Sequence, residues 1–235
     1  MKAGIFAAGM GSRFQEAGWT VPKPLVKLQD RPLVRHVLDN LFRADIESVD
    51  ILLNKESIFD AVESYLLDVP EAERIRTWRK TTTSSYESFC YVMDRLGDPP
   101  FLITTIDAIF PLEDLRDFLR IDAYPPSCML ALAVTDYVHD DTPLWVDCTP
   151  EGRVQRMGTS ASQKRYATAG VYLVLGDVRP LGGGKAFGAL REFLGLLVQE
   201  GASVWAKRFP IAFDIDCPDD LRAAESVLQT HGQVH

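Results

Sequence analysis

Between residues 2 and 121 the chain alternates short apolar runs with segments whose apolar residues recur at helical spacing. This alternation limits the fold more than any other feature of the sequence. "KAGIFAA" (2–8), "SVDILLN" (48–54) and "FLITTID" (101–107) read as short buried strands. Between and after them stand helical patterns. Leu33, Val34, Val37, Leu38, Leu41 and Phe42 share one helix face, with Asp30 expected as N-cap and Pro32 in the first turn. "SIFDAVESYLLDV" (57–69) predicts a helix capped by Ser57, and "SYESFCYVMDRLG" (85–97) one closed by Gly97. "LEDLRDFLRI" (112–121) predicts another. Strands alternating with helices predict a largely parallel sheet covered on both faces.

The rhythm changes after residue 128. "CMLALAVT" is a strand, and "LWVDCTPEGRVQRMG" reads as a hairpin turning at Pro150–Gly152. "YATAGVYLV" (166–174) and "ASVWAKRF" (202–209) are further strands, with a helix expected over 186–201 between them. "PDDLRAAESVLQ" (218–229) predicts a last helix with acidic residues in its first turn, as the macrodipole favours. No internal repeat, charge block or linker interrupts the 235 residues, a length that suits one α/β domain. The expected architecture is a single-domain three-layer sandwich. Its mixed, mostly parallel sheet carries helices on both faces and a β-rich insert.

A formal net charge of −8 and a pI near 5.0 argue against nucleic acid as a partner. They leave room for a local cationic pocket that takes one small anion. Cys90, Cys128, Cys148 and Cys217 are far apart and form no metal-binding pair, as in a chain kept in a reducing cytoplasm. "MKAGIFAAGMGSR" has too short an apolar run for a signal peptide, and no run approaches membrane-spanning length.

The segment "AAGMGSRFQEAGWTVPKPLVKL" (7–28) carries the chemistry. Gly4 and Gly9 have the glycine spacing of a P-loop, but Met10 stands where its lysine would be. Gly9 and Gly11 begin a dinucleotide fingerprint, but Phe14 stands in its third glycine place, which excludes a Rossmann oxidoreductase reading. What remains is a strand, a glycine turn and cations. Gly9 and Gly11 let backbone N–H groups approach a ligand. Arg13 offers a planar fork of donors for phosphate oxygens. Pro22 and Pro24 flank Lys23 and are expected to hold it on a stiff extended segment. That set of groups suits a triphosphate whose inner phosphate must be neutralised during attack.

These residues resemble the opening of the nucleotidyltransferases that make nucleotide sugars and related activated compounds. The family pattern is roughly A-A-G-x-G-x-R, a gap, P-K-P-L, and a G-x-P-L helix start. The resemblance continues at "FLITTIDAIF", "TAGVYLV" and "FDIDCPDDLRAAE", in order, over about residues 3–225. It implies a Rossmann-like fold with a nucleotide-binding half near 1–125 and an acceptor-binding half near 126–235. It implies a Mg²⁺-dependent reaction in which a sugar-1-phosphate, or another phosphomonoester, attacks the α-phosphorus of an NTP. On the matching positions, Ala7, Ala8, Gly9, Gly11, Ser12, Arg13 and Lys23 would bind the nucleotide. Arg13, Lys23 and Asp107 would be catalytic. Asp107 would hold the metal with Asp214 or Asp216, a choice that a D-I-D sequence leaves open. Gly170 would line the acceptor site or serve as a strand glycine that permits close packing.

Two departures stand out. The metal strand ends Thr105-Ile106-Asp107 where the family often has G-D or N-G-D, and Asp30 replaces the glycine of the helix start. Other readings stay beside the leading one. They are a cytidylyltransferase for phosphocholine or a similar phosphomonoester, a transferase acting on a molybdenum cofactor, and a non-catalytic nucleotide-binding module. "TTTSSYES" (81–88) is either a ligand contact or a helix start capped by Ser84 or Ser85, and "LGGGK" (181–185) is a loop or linker turn. His36 reads as structural, and His139, His231 and His235 show no ligand spacing. Oligomeric state, including a homo-oligomer, is open.

Overall fold

The computed structural model describes residues 1–138 and 142–231, without the side chains of 229–231. His139, His235 and the His231 side chain therefore lie outside the described residues. The strands are β1 (Lys2–Ala7), β2 (Lys27–Leu28), β3 (Arg31–Pro32), β4 (Ser48–Leu53), β5 (Ile75–Arg79), β6 (Phe101–Thr105), β7 (Ala108–Ile109), β8 (Leu130–Thr135), β9 (Trp145–Cys148), β10 (Val154–Met157), β11 (Tyr166–Val174), β12 (Val204–Arg208) and β13 (Phe213–Asp214). The α-helices are α1 (Ser12–Glu16), α2 (Leu33–Arg43), α3 (Asp60–Leu67), α4 (Ser85–Leu96), α5 (Leu112–Phe118), α6 (Leu190–Gln199) and α7 (Pro218–His231).

One nine-stranded sheet runs β12-β8-β11-β6-β1-β4-β5, with the β9–β10 hairpin added to the first residues of β11. Only β11 and β10 oppose the direction of the other seven strands, so the sheet is mixed and mostly parallel. Alternation along each strand feeds two cores. Ala3, Ile5 and Ala7 of β1 and Val49, Ile51 and Leu53 of β4 point to the face covered by α2, α3, α5 and α7. Leu52 of β4 and Phe101 and Ile103 of β6 point to the face covered by α4 and α6. Along α2, Leu33, Val34, Val37, Leu38 and Leu41 are each 1% exposed or less. Such side chains contribute about 1.5–3 kcal/mol apiece over an exposed position. The expected fold class is thus the observed one: a single α/β domain with helices on both faces.

Several local expectations are corrected. Asp30 is not a helix cap. Gln29 and Asp30 both have positive φ (50° and 63°) in a tight turn between β2 and β3, and α2 starts two residues beyond Arg31, after Pro32. The position is left-handed, where glycine is the easiest residue to place, and aspartate is among the few others that adopt it readily. Ser57 caps nothing; it opens a 3₁₀ turn (Ser57–Phe59) that leads into α3. The helix expected from 186 starts only at Leu190. Strand β5, an edge strand reading IRTWR, is not anticipated by the sequence analysis. Ser84, by contrast, is the N-cap of α4 and accepts a hydrogen bond from the Glu87 N–H at 3.1 Å.

Candidate active site

The parallel strands β1, β4 and β6 end on one edge of the sheet, where open α/β sheets bind ligands. Ala7 closes β1, and Ala8 is buried beneath the turn. Gly9 and Ser12 are exposed on it. Gly11, with φ 65°, precedes the short helix α1 that carries Arg13. A Cβ on Gly11 would stand 3.2 Å from the Lys23 Cβ, so this glycine also brings the two segments together. The segment bearing Arg13 is therefore a short helical turn, Ser12–Glu16.

Lys23 departs from expectation. Pro22 is extended, but Lys23–Leu25 forms one 3₁₀ turn closed by Leu25 N–H to Pro22 O at 2.8 Å. Pro24 fits because its position near the start of the turn requires no N–H donor. The turn aims the lysine inward, and its side chain is only 8% exposed.

Three aspartates meet the ammonium. Asp107 follows β6, and the two-residue ladder of β7 with β13 pairs Asp214 with Ala108. The Ile215 N–H donates to Asp107 O at 3.2 Å, which continues the join. Oxygens of Asp107, Asp214 and Asp216 lie within 4.8 Å of one another. Lys23 Nζ donates to Asp107 Oδ2 and to Asp216 Oδ1. Arg13 Nη1 donates to Asp216 Oδ2 at 3.1 Å from the rim, where it is half exposed. Asp220 steadies the outer carboxylate's backbone by accepting from the N–H groups of Asp216 (3.0 Å) and Cys217 (2.8 Å).

The electrostatics follow from this packing. Burial would lower the Lys23 ammonium, but Asp107, then Asp216 and Asp214, outweigh it and raise the group above its usual value of 10.5. It stays charged at neutral pH, so it serves as a fixed cation and not as a proton acceptor. Burial would raise Asp107, and the Lys23 charge outweighs that and holds it below the ordinary carboxylate value. Among the described residues, Asp107 Oδ1 is buried without a hydrogen-bond partner. A buried carboxylate oxygen with a free lone pair, in a cluster of hard oxygen donors, fits a divalent cation such as Mg²⁺.

Beside this cluster lies a cavity of about 270 Å³ reached by Thr105, Tyr137, Gly170, Tyr172, Arg191 and Asp214, among others. Gly170 sits at an irregularity in the β11–β8 pairing, with φ 71°. A Cβ there would stand 2.5 Å from Thr105 Oγ1 and 3.4 Å from the Ala108 Cβ. Gly170 thus permits a close approach to Thr105, and it also lines this cavity. Burial, with Asp214 and Asp107, pushes the Tyr172 hydroxyl up, so it remains a hydrogen-bond donor.

Sequence reasoning brought together Arg13, Lys23 and the three aspartates, and the structure places all five in one site. It did not single out Asn54, whose contacts depend on which strands become neighbours. "LGGGK" is a connecting turn beside Tyr86 and Phe193. His36 is structural, with Nε2 2.9 Å from Leu28 O. No helix among the described residues is long and apolar enough to cross a membrane.

Known proteins share this architecture. A mannose-1-phosphate guanyltransferase of Candida albicans is 24% identical over 192 residues, which cover 77% of this chain and 53% of that protein. A UTP–glucose-1-phosphate uridylyltransferase of Bacillus subtilis is 34% identical over 73 residues, covering 31% of this chain and 24% of that protein. The chain spans about a third to a half of the length of the first curated relatives it matches. Among solved structures, the inositol-1-phosphate CTP transferase from T. maritima superposes with a TM-score of 0.76 at 20% identity, covering 99% of this chain and 97% of that one. A UDP-glucose pyrophosphorylase from Acinetobacter baumanii gives 0.79 at 19% identity, covering 99% and 95%. Likeness at that identity speaks for the fold. The family described as the MobA-like NTP transferase domain matches residues 3–164, well over half of the sequence, and the chain belongs to that nucleotidyltransferase family.

Proposed function

We propose that this protein is a Mg²⁺-dependent nucleotidyltransferase that joins an NTP to a sugar-1-phosphate. An oxygen of the acceptor phosphate forms a bond to the α-phosphorus. The bond from the α-phosphorus to the bridging oxygen breaks, and pyrophosphate leaves with the electron pair. The observation that carries this reading is the convergence of Lys23 and Arg13 on the Asp107–Asp214–Asp216 cluster, beside a cavity that Asp214 lines.

In this reading the half near 1–125 holds the nucleotide and the half near 126–235 holds the acceptor. The turn at Ala7, Ala8, Gly9, Gly11 and Ser12 presents backbone N–H groups to the triphosphate. Arg13, at the exposed rim, grips the departing pyrophosphate with its planar fork. Lys23 turns from the carboxylates to the α-phosphate and the acceptor phosphate, neutralising charge as the new bond forms. Gly170 leaves room for the acceptor. Asp107, with Asp214 or Asp216, holds Mg²⁺, which supplies charge neutralisation at the phosphate oxygens. Transfers of this kind rest on positioning and electrostatics, with no covalent intermediate on the protein required. A cytoplasmic location suits such substrates.

The test is a pyrophosphate-release screen. It crosses ATP, CTP, GTP, UTP and dTTP with sugar-1-phosphates, and with myo-inositol-1-phosphate and phosphocholine. The last two are included because the T. maritima neighbour acts on inositol-1-phosphate with CTP. Release that requires one NTP, one acceptor and Mg²⁺ supports the reading and names both substrates. NTP binding without release from any pair would make the chain a binding module.

A further inference from the structure

Asn54 follows β4 directly and is buried, 4% exposed, at the strand-end edge beside the glycine turn. Its side chain joins three segments. Nδ2 donates to Ala8 O at 2.9 Å. Oδ1 accepts from the Glu56 N–H at 3.2 Å and from Thr81 Oγ1 at 3.1 Å.

Each end of this bridge is built. The Ala8–Gly9 peptide is planar and trans, so fixing its carbonyl toward Asn54 turns the Gly9 N–H the opposite way. Gly9 is exposed, and a Cβ placed on it would meet nothing within 4 Å, so there is open space beside this peptide for a ligand. On the other side, residues 80–88 form a tied block. Lys80 N–H donates to Leu53 O at 2.9 Å, and the Glu87 carboxylate accepts from Thr83 N–H at 2.7 Å and from Thr83 Oγ1 at 2.9 Å. Lys80 pairs with the same carboxylate at 2.7 Å, and the Thr82 and Ser88 hydroxyls stand 2.7 Å apart. A rigid block bonded to the side chain that orients the Gly9 peptide fixes the distance between the two.

We infer that Asn54 is a positioning residue for the nucleotide. It orients the Gly9 N–H toward the triphosphate and sets the spacing between the glycine turn and the 81–88 segment. The inference rests on the nucleotidyltransferase reading and adds a determinant of NTP affinity that does not itself touch the reacting atoms.

Asn54→Asp keeps both accepting functions and replaces the donor to Ala8 with a negative charge facing that carbonyl, because an ionised carboxylate cannot donate. Thr81→Val removes only the hydroxyl that ties in the 80–88 block and preserves side-chain shape. Binding of ATP, CTP, GTP, UTP and dTTP with MgCl₂ is measured by calorimetry on the full chain. For the NTP that wild type binds best, Asn54→Asp is expected to weaken binding about tenfold and Thr81→Val about threefold, the scale of one lost buried hydrogen bond. Thr81→Ser is expected to restore wild-type affinity. In turnover the loss should fall on the KM for NTP, with the acceptor KM and the kcat at saturating NTP near wild type. A merely structural residue would lower the melting temperature without that split. Should Asn54→Asp fail to fold, Thr81→Val and Thr81→Ser still decide. Wild-type NTP affinity in Thr81→Val, or equal losses for NTP and acceptor, overturns the inference alone. Absence of NTP binding by wild type overturns the nucleotidyltransferase reading and this inference with it.

Discussion

Replacing Lys23 with methionine tests the electrostatic core of the site. Methionine keeps the apolar stem and removes the ammonium. The Lys23 side chain is 8% exposed, and its partners Asp107 and Asp216 are 14% and 37% exposed. The Asp216 contact is open enough to solvent to be worth no more than about 1 kcal/mol. The Asp107 contact is buried, and removing one partner of a buried pair costs about 3–5 kcal/mol because the other charge is left stranded. Near the lower end of that range, a loss of about 3 kcal/mol corresponds to a fall in Tm of roughly 6–12 °C for a chain of this length. The pH dependence should change sign. In wild type, Asp107 is held below its usual value of 3.8, so the pair's stability is present above that value and is lost as pH falls through the depressed one. Without Lys23, burial dominates and raises Asp107, so the variant gains stability as pH falls toward the acid range. MgCl₂ should raise the variant's Tm more than the wild type's, because the ion replaces the buried ammonium among three clustered carboxylates that otherwise keep only Arg13, at the rim on Asp216. Turnover should drop by about 10²-fold or more even at saturating Mg²⁺. The assay is thermal denaturation by circular dichroism across pH, with and without MgCl₂, alongside pyrophosphate release. A variant melting within about 2 °C of wild type, with the same Mg²⁺ response, would refute the claim that the ammonium balances these aspartates.

Three other perturbations probe the site and its frame. Gly170→Ala combines a left-handed φ, worth about 1–2 kcal/mol, with a Cβ forced onto the stiff Thr105 side chain. It should destabilise by about 2–4 kcal/mol and raise the acceptor KM more than the NTP KM, as read by calorimetry and initial rates. Asp30→Thr should cost about 1 kcal/mol in denaturant unfolding while Asp30→Gly costs nothing, since Asp30 holds a positive φ. A true helix cap would instead accept threonine readily. The Glu87 carboxyl, pushed down to about 2 first by Lys80 and then by the Thr83 N–H and hydroxyl, should titrate there by NMR and move upward in Lys80→Met.

The difference between what the sequence reveals and what it conceals lies in how far apart the cooperating residues are. Strand β11 was legible in the sequence, because "YATAGVYLV" is a largely apolar run that opens after Lys164-Arg165 and is followed closely by Gly176-Asp177. The cap of α4 was legible to within Ser84 or Ser85, because capping is settled within four residues, and it falls on Ser84. Strand β5 was not, because an edge strand needs little burial and IRTWR shows no apolar alternation. The 3₁₀ turn at Lys23 was hidden because the local proline rules allow both an extended and a tight geometry, and the turn taken is the one that buries the ammonium against aspartates 84 and 193 residues away. The aspartates themselves could be picked out one at a time by resemblance. Their assembly depends on β7 and β13, two residues each, which carry no periodicity of their own. Asn54 was the least legible residue. An asparagine after a strand is what any turn would show, and its role exists only because parallel pairing sets Leu53 beside Ala7 and Arg79 beside Leu53. The same register that brings β1 and β5 to either side of β4 therefore brings the glycine turn and the 80–88 block within reach of one amide. A site built this way gains its chemistry from local motifs and its spacing from sheet register, so substitutions at strand ends should alter substrate affinity while leaving the catalytic groups untouched.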